Sequence, residues 1–318
     1  MGTRAVPRYL WFNGQIVPWE SATLHATATI WSGMHSVFEG IRAYWNAEAE
    51  TMYVFRLKDH LRRLEQSIKL VRQPMPYAPM SLLDEIPELL RANDVREDCY
   101  IRVVAFPSER RMASFADEEV PNLLADTAPY PSRLREDRCR AAMVSSFVRI
   151  NEGTMPPRVK SMANYRNADL AIKEAQNGGY DSAIMLNRLG EVAEGPWSCI
   201  FLIRDGVLIT PDLNSDILES ITRDTVLRLA RDELMLPTVE RRVSRTELYL
   251  ADEVFFCGTA AEIQPIGSVD RYQIGDGAVG PITRRLMHLY EEAVRGRLKR
   301  YLEDWCTSAP VPAGATTI

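Results

Sequence analysis

Met155-Pro-Pro-Arg-Val-Lys-Ser-Met-Ala-Asn-Tyr165 places a lysine at the end of an extended segment and directly before a helix. Of the 38 lysines and arginines in the chain, only five are lysines. Lys58, Lys69, Lys173 and Lys299 lie on polar helical faces and read as solvated charges. Lys160 lies on no such face. A primary amine in that position is a candidate nucleophile, provided it is desolvated enough to lose its proton. A solvated charge is the competing reading, because perturbed lysines are the exception outside functional sites.

Working outward from this segment, Ala163–Asn177 is expected to be a helix that stops at Gly178-Gly179. Strands are expected at Ser182–Asn187 and Cys199–Ile203, the latter turning through Asp205-Gly206 into Val207–Thr210. Thr222–Leu234 carries Val226, Leu227, Ala230 and Leu234 at helical spacing. Glu253–Cys257 reads as a strand and Gly280–Asp304 as a terminal helix. Upstream, Tyr9–Phe12 and Gln15–Val17 flank the hairpin dipeptide Asn13-Gly14. Met52–Phe55, Cys99–Phe106, Asn122–Pro129 and Ala141–Val148 read as further strands. Lys58–Arg72 is helical by its Leu61, Leu64, Ile68 and Val71 spacing, and Ser81–Asn93 is helical with Pro87 a kink. Strands linked by hairpins are mixed with helices in both halves. That favours an α+β fold of two domains over a doubly wound parallel sheet.

The stretch Ala128-Pro-Tyr-Pro-Ser-Arg-Leu-Arg-Glu-Asp-Arg138 is polar and carries two prolines, as an interdomain linker would. The expected division is a small α/β domain over residues 1–128, a linker over 129–138 and a larger domain over 139–305. A disordered tail is expected over 306–318, where small residues and proline accumulate.

Composition narrows the function. The chain has 318 residues, 46% hydrophobic and 25% charged, with a net charge of −5. These are values of an ordinary soluble enzyme, without the basic face of a nucleic-acid binder. Five cysteines without CxxC spacing argue against a disulfide framework or a zinc site and fit a cytoplasmic location. No run of 18 or more apolar residues predicts a membrane span, and the first residues lack a signal peptide's apolar stretch. No metal is expected: His25, His35, His60 and His288 have no ligand spacing. Dinucleotide, P-loop and GxSxG motifs are absent.

A lysine amine placed like that of Lys160 can form an imine with pyridoxal phosphate, and an enzyme using it needs further parts. Such a cofactor presents an aldehyde to a lysine, a pyridine nitrogen to a carboxylate and a phosphate to clustered N–H and hydroxyl groups. Lys160 is the candidate amine. Glu194, in Val192-Ala-Glu-Gly-Pro196, stands at a strand end before a turn and is the candidate carboxylate, with a plain turn carboxylate as the alternative. Leu218-Glu-Ser-Ile-Thr-Arg-Asp224 opens a helix whose N-terminus favours an anion, with simple N-capping by Ser220 as the alternative. Cys257-Gly-Thr-Ala-Ala261 follows a strand and offers a second cradle of amides and a hydroxyl.

Taken in order, these segments resemble fold-type IV aminotransferases, and among them the branched-chain amino acid aminotransferases. The resemblance runs from about Tyr9 to the terminal helix. It is carried by Tyr9-Leu-Trp-Phe-Asn-Gly14, Ser36-Val-Phe-Glu-Gly-Ile-Arg42, His60-Leu-Arg-Arg-Leu64, Cys99-Tyr-Ile-Arg102 and the Lys160, Glu194, Ser220 and Thr259 segments. It implies a two-domain α+β enzyme, its larger domain built on a barrel-like sheet. Transamination between an L-amino acid and a 2-oxo acid would be ping-pong, through a Lys160 Schiff base with pyridoxal 5′-phosphate. By the same resemblance Tyr165 meets the phenolic oxygen of the cofactor and Glu194 its pyridine nitrogen. Arg63, Ile221, Thr222 and Thr259 bind its phosphate, and Leu218 packs on its ring. Tyr100, Arg102, Thr259 and Ala260 organise the α-carboxylate pocket, while Phe38, Gly40 and Arg42 line the side-chain pocket. A homodimer or larger homo-oligomer is implied as well.

Several residues depart from the family pattern. Gly33 stands where the branched-chain enzymes usually place a phenol, with Trp31 nearby as a partial replacement. Glu219-Ser220 replaces a common Pro-Gly, Trp197 and Cys199 replace smaller or polar residues, and Ser108–Phe115 lacks the usual glycine-rich turn. An altered wall shifts selectivity by one to a few kcal/mol. D-amino acid or (R)-amine transamination, or a specialised secondary-metabolism role, is therefore kept as an alternative to a branched-chain substrate. A lyase acting on aminodeoxychorismate and a catalytically silent binding protein fit the residues less well.

Overall fold

The computed structural model describes residues 6–26, 33–110 and 119–310. Contacts divide the chain into two units of nearly equal length. One comprises Met1–Pro131, Val159–Ala163 and Glu292–Ile318, and the other Ser132–Arg158 and Asn164–Glu291. The first cut, between Pro131 and Ser132, falls within the expected linker. The division is not one cut, however. The lysine segment and residues 292–305 group with the first unit, which corrects the expectation that 139–305 forms one larger domain.

The first unit holds seven strands, β1 (Tyr9–Phe12), β2 (Gln15–Pro18), β3 (Val37–Asn46), β4 (Thr51–Phe55), β5 (Cys99–Arg110), β6 (Glu119–Pro129) and β16 (Cys306–Pro310). They form one sheet in the order β16-β4-β3-β5-β6-β1-β2. Asn13 and Gly14 both take positive φ, 49° and 94°, which closes the β1–β2 hairpin with the twist its strands require. β16 pairs with β4 residue for residue from Cys306↔Phe55 to Pro310↔Thr51. The start of the expected disordered tail is thus an edge strand.

Alternation divides the faces of this sheet. Val37, Ile41 and Ala43 of β3, Ile101, Val103 and Ala105 of β5, and Leu123 and Ala125 of β6 share one core with Leu57, Leu61, Leu64 and Ile68 of helix α1 (Leu57–Leu70). Helix α2 (Leu82–Ala92) adds Leu82, Ile86, Leu89 and Leu90, with Pro87 inside it. The residues between these on β3, β5 and β6 therefore point to the opposite face.

The second unit holds β7 (Arg140–Val144), β8 (Ser182–Leu186), β9 (Val192–Glu194), β10 (Cys199–Arg204), β11 (Val207–Thr210), β12 (Thr238–Glu240), β13 (Glu253–Gly258), β14 (Glu262–Val269) and β15 (Tyr272–Gln273). These make a nine-stranded sheet, β12-β11-β10-β13-β14-β7-β8-β9, with β15 attached to β14. Parallel pairings, β14–β7, β7–β8 and β11–β12, occur beside antiparallel hairpins. Helix α3 (Met162–Asn177) follows the lysine segment, and helix α4 (Ile221–Asp232) follows the loop after β11. The short helix α5 (Arg245–Leu248) also lies in this unit. The expected terminal helix is two helices, α6 (Pro281–Val294) and α7 (Lys299–Trp305), separated where Gly296 takes φ 68°. Together the elements are an α+β fold with two sheets.

Candidate active site

Lys160 is held by its backbone in the first unit. The Phe38 N–H donates to the Lys160 carbonyl at 2.9 Å, and the Lys160 N–H donates to Ser67 Oγ at 3.2 Å. The Met162 N–H donates to the Ser36 carbonyl at 3.0 Å, and Ser161 bridges to Val37. Lys160 and Ser161 therefore lie along the first residues of β3, but the residues before them, 157–159, form a turn and not the extended segment expected. Its Nζ stands 4.8 Å from the centroid of the Phe38 ring, an apolar seat for an amine.

Arg63 is buried on α1, and its Nε and Nη2 donate to Glu39 Oε1 and Oε2 at 2.7 and 2.8 Å. The Nδ1 of His60, one turn earlier, is 2.7 Å from Glu39 Oε2. Sequence reading quoted Glu39 and gave it no role. It is the charged residue on the core-facing side of β3, and α1 supplies the cation that makes its burial tolerable. Burial alone would raise the Glu39 pKa, but the Arg63 guanidinium and then His60 outweigh it and hold the carboxyl at about 2. Burial lowers the His60 pKa more than Glu39 raises it. Both folded values lie below their unfolded ones. Each group therefore contributes stability above its unfolded pKa and loses it as pH falls. Stability is expected to decline from about pH 6.5 as His60 charges, then further between about 4.5 and 2 by roughly 3 kcal/mol from Glu39. Guanidinium unfolding at about pH 7, 5, 4 and 2.5 measures it. His60→Asn should flatten the upper part of the profile, and an unchanged profile would remove His60 from this account.

Phe38, Gly40 and Arg42 alternate on the other face of β3. There Gly40 opposes Arg102 and Arg42 opposes Tyr100 of β5. A Cβ on Gly40 would lie 1.7 Å from the Tyr100 hydroxyl, so only glycine lets that phenol cross the strand. Arg42 is buried between the rings of Tyr44 and Tyr130, 4.7 and 4.9 Å from their centroids, and its Nη2 donates to the Tyr130 carbonyl. Arg102 pairs with the buried Asp126, which sequence reading passed over. Gly33 lies in a short helical turn, and a Cβ there would meet nothing within 4 Å. Trp31 and most of the Ser108–Phe115 loop lie outside the described residues.

The second unit holds Glu194 at the end of β9, buried. Arg149 Nε and Nη2 reach its Oε1 at 2.9 and 2.8 Å. The Leu218 N–H donates to Oε2 at 3.3 Å, and the Cys199 thiol lies 3.7 Å from the same oxygen. Leu218, expected to pack by its side chain, thus also orients the carboxylate through its backbone. Arg149 was missed by sequence reading. Ser220 is the N-cap of α4, its Oγ accepting from the Arg223 N–H at 3.2 Å, and both the capping and anion readings of this turn are compatible with that bond. Ile221 and Thr222 follow, both buried. The Arg223 guanidinium is turned to Thr210, Pro211 and Glu240. Tyr165 is half-buried on α3, and Thr259 and Ala260 form the half-buried turn between β13 and β14. Glu219 is exposed and pairs with Arg158.

The donor set comprises an amine on an apolar seat, a buried carboxylate with its counter-ion, and a twelve-residue helix whose second residue is a buried threonine. It matches in kind the aldehyde, the ring nitrogen and the phosphate of pyridoxal phosphate.

Comparison with known proteins shows the family of the chain. The sequence model described as "Amino-transferase class IV" matches residues 36–269. A "Probable branched-chain-amino-acid aminotransferase" of Aquifex aeolicus is 39% identical over 299 residues, covering 94% of this chain and 96% of the relative. The branched-chain amino acid aminotransferase of Thermobaculum terrenum, solved in its PLP-form, superposes with a TM-score of 0.93 at 50% identity. It covers 96% of this chain and 99% of its own. The branched-chain aminotransferase of Thermoproteus uzoniensis, solved with norvaline, gives 0.87 at 39% identity, over 95% and 99% of the two chains.

Proposed function

This chain belongs to the class IV aminotransferases, and from that premise we propose that it moves the amino group of a branched-chain L-amino acid to a 2-oxo acid with pyridoxal 5′-phosphate. The observation that carries the reading is the backbone clamp on Lys160, which seats its amine over Phe38. Relatives at 36 to 39% identity over most of the chain carry branched-chain aminotransferase names, which supports the substrate class.

The bound cofactor supplies an aldehyde for the amine and a ring that withdraws electrons from the substrate Cα. The rest is done by residues of the chain. Lys160 Nζ would move the proton from the substrate Cα to the cofactor C4′, and the reverse way in the other half of the cycle. Glu194, fixed by Arg149 and the Leu218 N–H, presents a carboxylate to the ring nitrogen. Tyr165 would meet the phenolic oxygen. Arg63, Thr222, Thr259 and the Ile221 N–H would hold the phosphate, Arg63 with one guanidinium edge committed to Glu39. Tyr100, Arg102, Thr259 and Ala260 would orient the α-carboxylate, and Phe38, Gly40 and Arg42 would contact the side chain.

The five cysteines are free thiols, which supports a reducing, cytoplasmic location. Among the described residues no helix is long and apolar enough to cross a membrane. Family resemblance supports a homodimer or larger assembly.

The test is a half-reaction screen of the holoenzyme, following loss of the cofactor's visible absorbance on adding each L- and D-amino acid. Fast conversion with L-valine, L-leucine and L-isoleucine is expected. Conversion confined to aromatic or D-amino acids would mean that the open space at Gly33 has redirected the pocket, and would replace this substrate class.

A further inference from the structure

We propose that Asp126 is a positioning residue which sets the charge of the Arg102 contact, and so governs how strongly the site holds a substrate carboxylate. The inference rests on the reading of Arg102 as that contact. Gly40, Arg102 and Asp126 oppose one another on β3, β5 and β6, forming one row across the sheet face that also carries Phe38, Arg42 and Tyr100. Arg102 Nε and Nη2 donate to Asp126 Oδ1 and Oδ2 at 3.2 and 2.6 Å. The Asp126 side chain is 2% exposed, whereas that of Arg102 is 36% exposed. The aspartate is therefore the buried anchor and the guanidinium the accessible end of the pair.

The sheet does not require this aspartate. It is the one charge in the strand interior Asn122-Leu-Leu-Ala-Asp-Thr-Ala128. A buried ion pair is often no more stabilising than apolar residues of the same volume. Its consequence for recognition is specific. The bidentate pairing fixes the plane and direction of the guanidinium, which favours an incoming acid. It also places a full negative charge beside the acid's binding position, which opposes it. The guanidinium is thus pre-aimed while the pair it forms with Asp126 carries no net charge, a contact that holds an acid weakly enough to release the product oxo acid.

Asp126→Asn keeps the shape and removes the charge, so the two effects separate. Calorimetric titration of the holoenzyme uses two probes of equal size, 4-methylpentanoate and the uncharged 4-methylpentanamide. The acid is expected to bind about tenfold more tightly to Asp126→Asn than to the unaltered protein, and the amide to change by less than about twofold. Asp126→Ser, a smaller replacement, should shift the acid in the same direction. In turnover, KM for L-leucine should fall with little change in kcat. Unchanged or weaker acid binding in both Asp126 variants overturns the proposal. Arg102→Gln separates the two levels of the argument. If it leaves acid binding intact, the reading of Arg102 fails and the proposal with it. If it abolishes acid binding while the Asp126 variants bind no tighter, the role of Asp126 alone fails.

Discussion

Lys160→Ala is expected to lower kcat by at least about 10⁴-fold while leaving the fold in place. The fold should survive because the position is held by backbone groups: the Phe38 N–H on its carbonyl, Ser67 Oγ on its N–H, and the bridge of Ser161 to Val37. Alanine keeps all three. What disappears is the amine above Phe38, and the other four lysines lie elsewhere in the sequence on helices. Lys160→Arg isolates the chemistry from the charge, since a guanidinium keeps its proton in proteins and is not a nucleophile. It should be as inactive as the alanine variant. Ethylamine added to Lys160→Ala should restore part of the Cα deprotonation rate, because the vacated volume admits a small amine, and it should restore nothing in Lys160→Arg. Single-turnover absorbance with L-leucine reads all three. Appreciable turnover by the alanine variant without added amine would end the assignment.

The elements legible in the sequence are those whose cause is local. Asn13-Gly14 and Asp205-Gly206 mark hairpins because both residues of each adopt positive φ, which these residue types tolerate. The helices Leu57–Leu70 and Ile221–Asp232 show in the 3.6-residue recurrence of apolar side chains, and Met162–Asn177 in its Gly178-Gly179 stop. β3 was not read as a strand, because nine of its ten residues are buried and the alternation that announces a half-exposed strand is missing. β16, Cys-Thr-Ser-Ala-Pro, has no strand propensity to show; its pairing with β4 is made by tertiary context.

The site divides along the same line. Lys160, Glu194 and the Ser220–Thr222 turn could be proposed because each sits at a recognisable junction of elements. The residues that hold the site together were not. Glu39 meets Arg63 across 24 positions, Asp126 meets Arg102 across 24, and Arg149 meets Glu194 across 45. No periodicity links such pairs. The usable signal was a charge inside an apolar strand, as at Asp126 between Ala125 and Thr127, since a buried charge demands a partner.

Glu194→Gln is expected to slow proton removal from the substrate Cα by about 10²–10³-fold, because a neutral amide cannot stabilise positive charge at the ring nitrogen as a carboxylate does. The substitution has a second effect. Arg149 places two N–H groups on Glu194 Oε1 and is itself buried, so the variant keeps a guanidinium in the interior without its counter-ion. Breaking one side of such a pair costs about 3–5 kcal/mol of stability. Slow turnover from the single variant is therefore ambiguous between lost chemistry and a weakened fold. The double variant Glu194→Gln with Arg149→Met resolves it, because an apolar side chain of similar length removes the stranded cation. Its unfolding midpoint should recover towards that of the unaltered protein while its single-turnover rate stays low. If the rate recovers with the midpoint, Glu194 acts on the fold and not on the ring nitrogen. If both stay low, the other contacts of the Glu194 carboxylate are needed for stability, and the Leu218 N–H and Cys199 thiol on Oε2 are the first to examine.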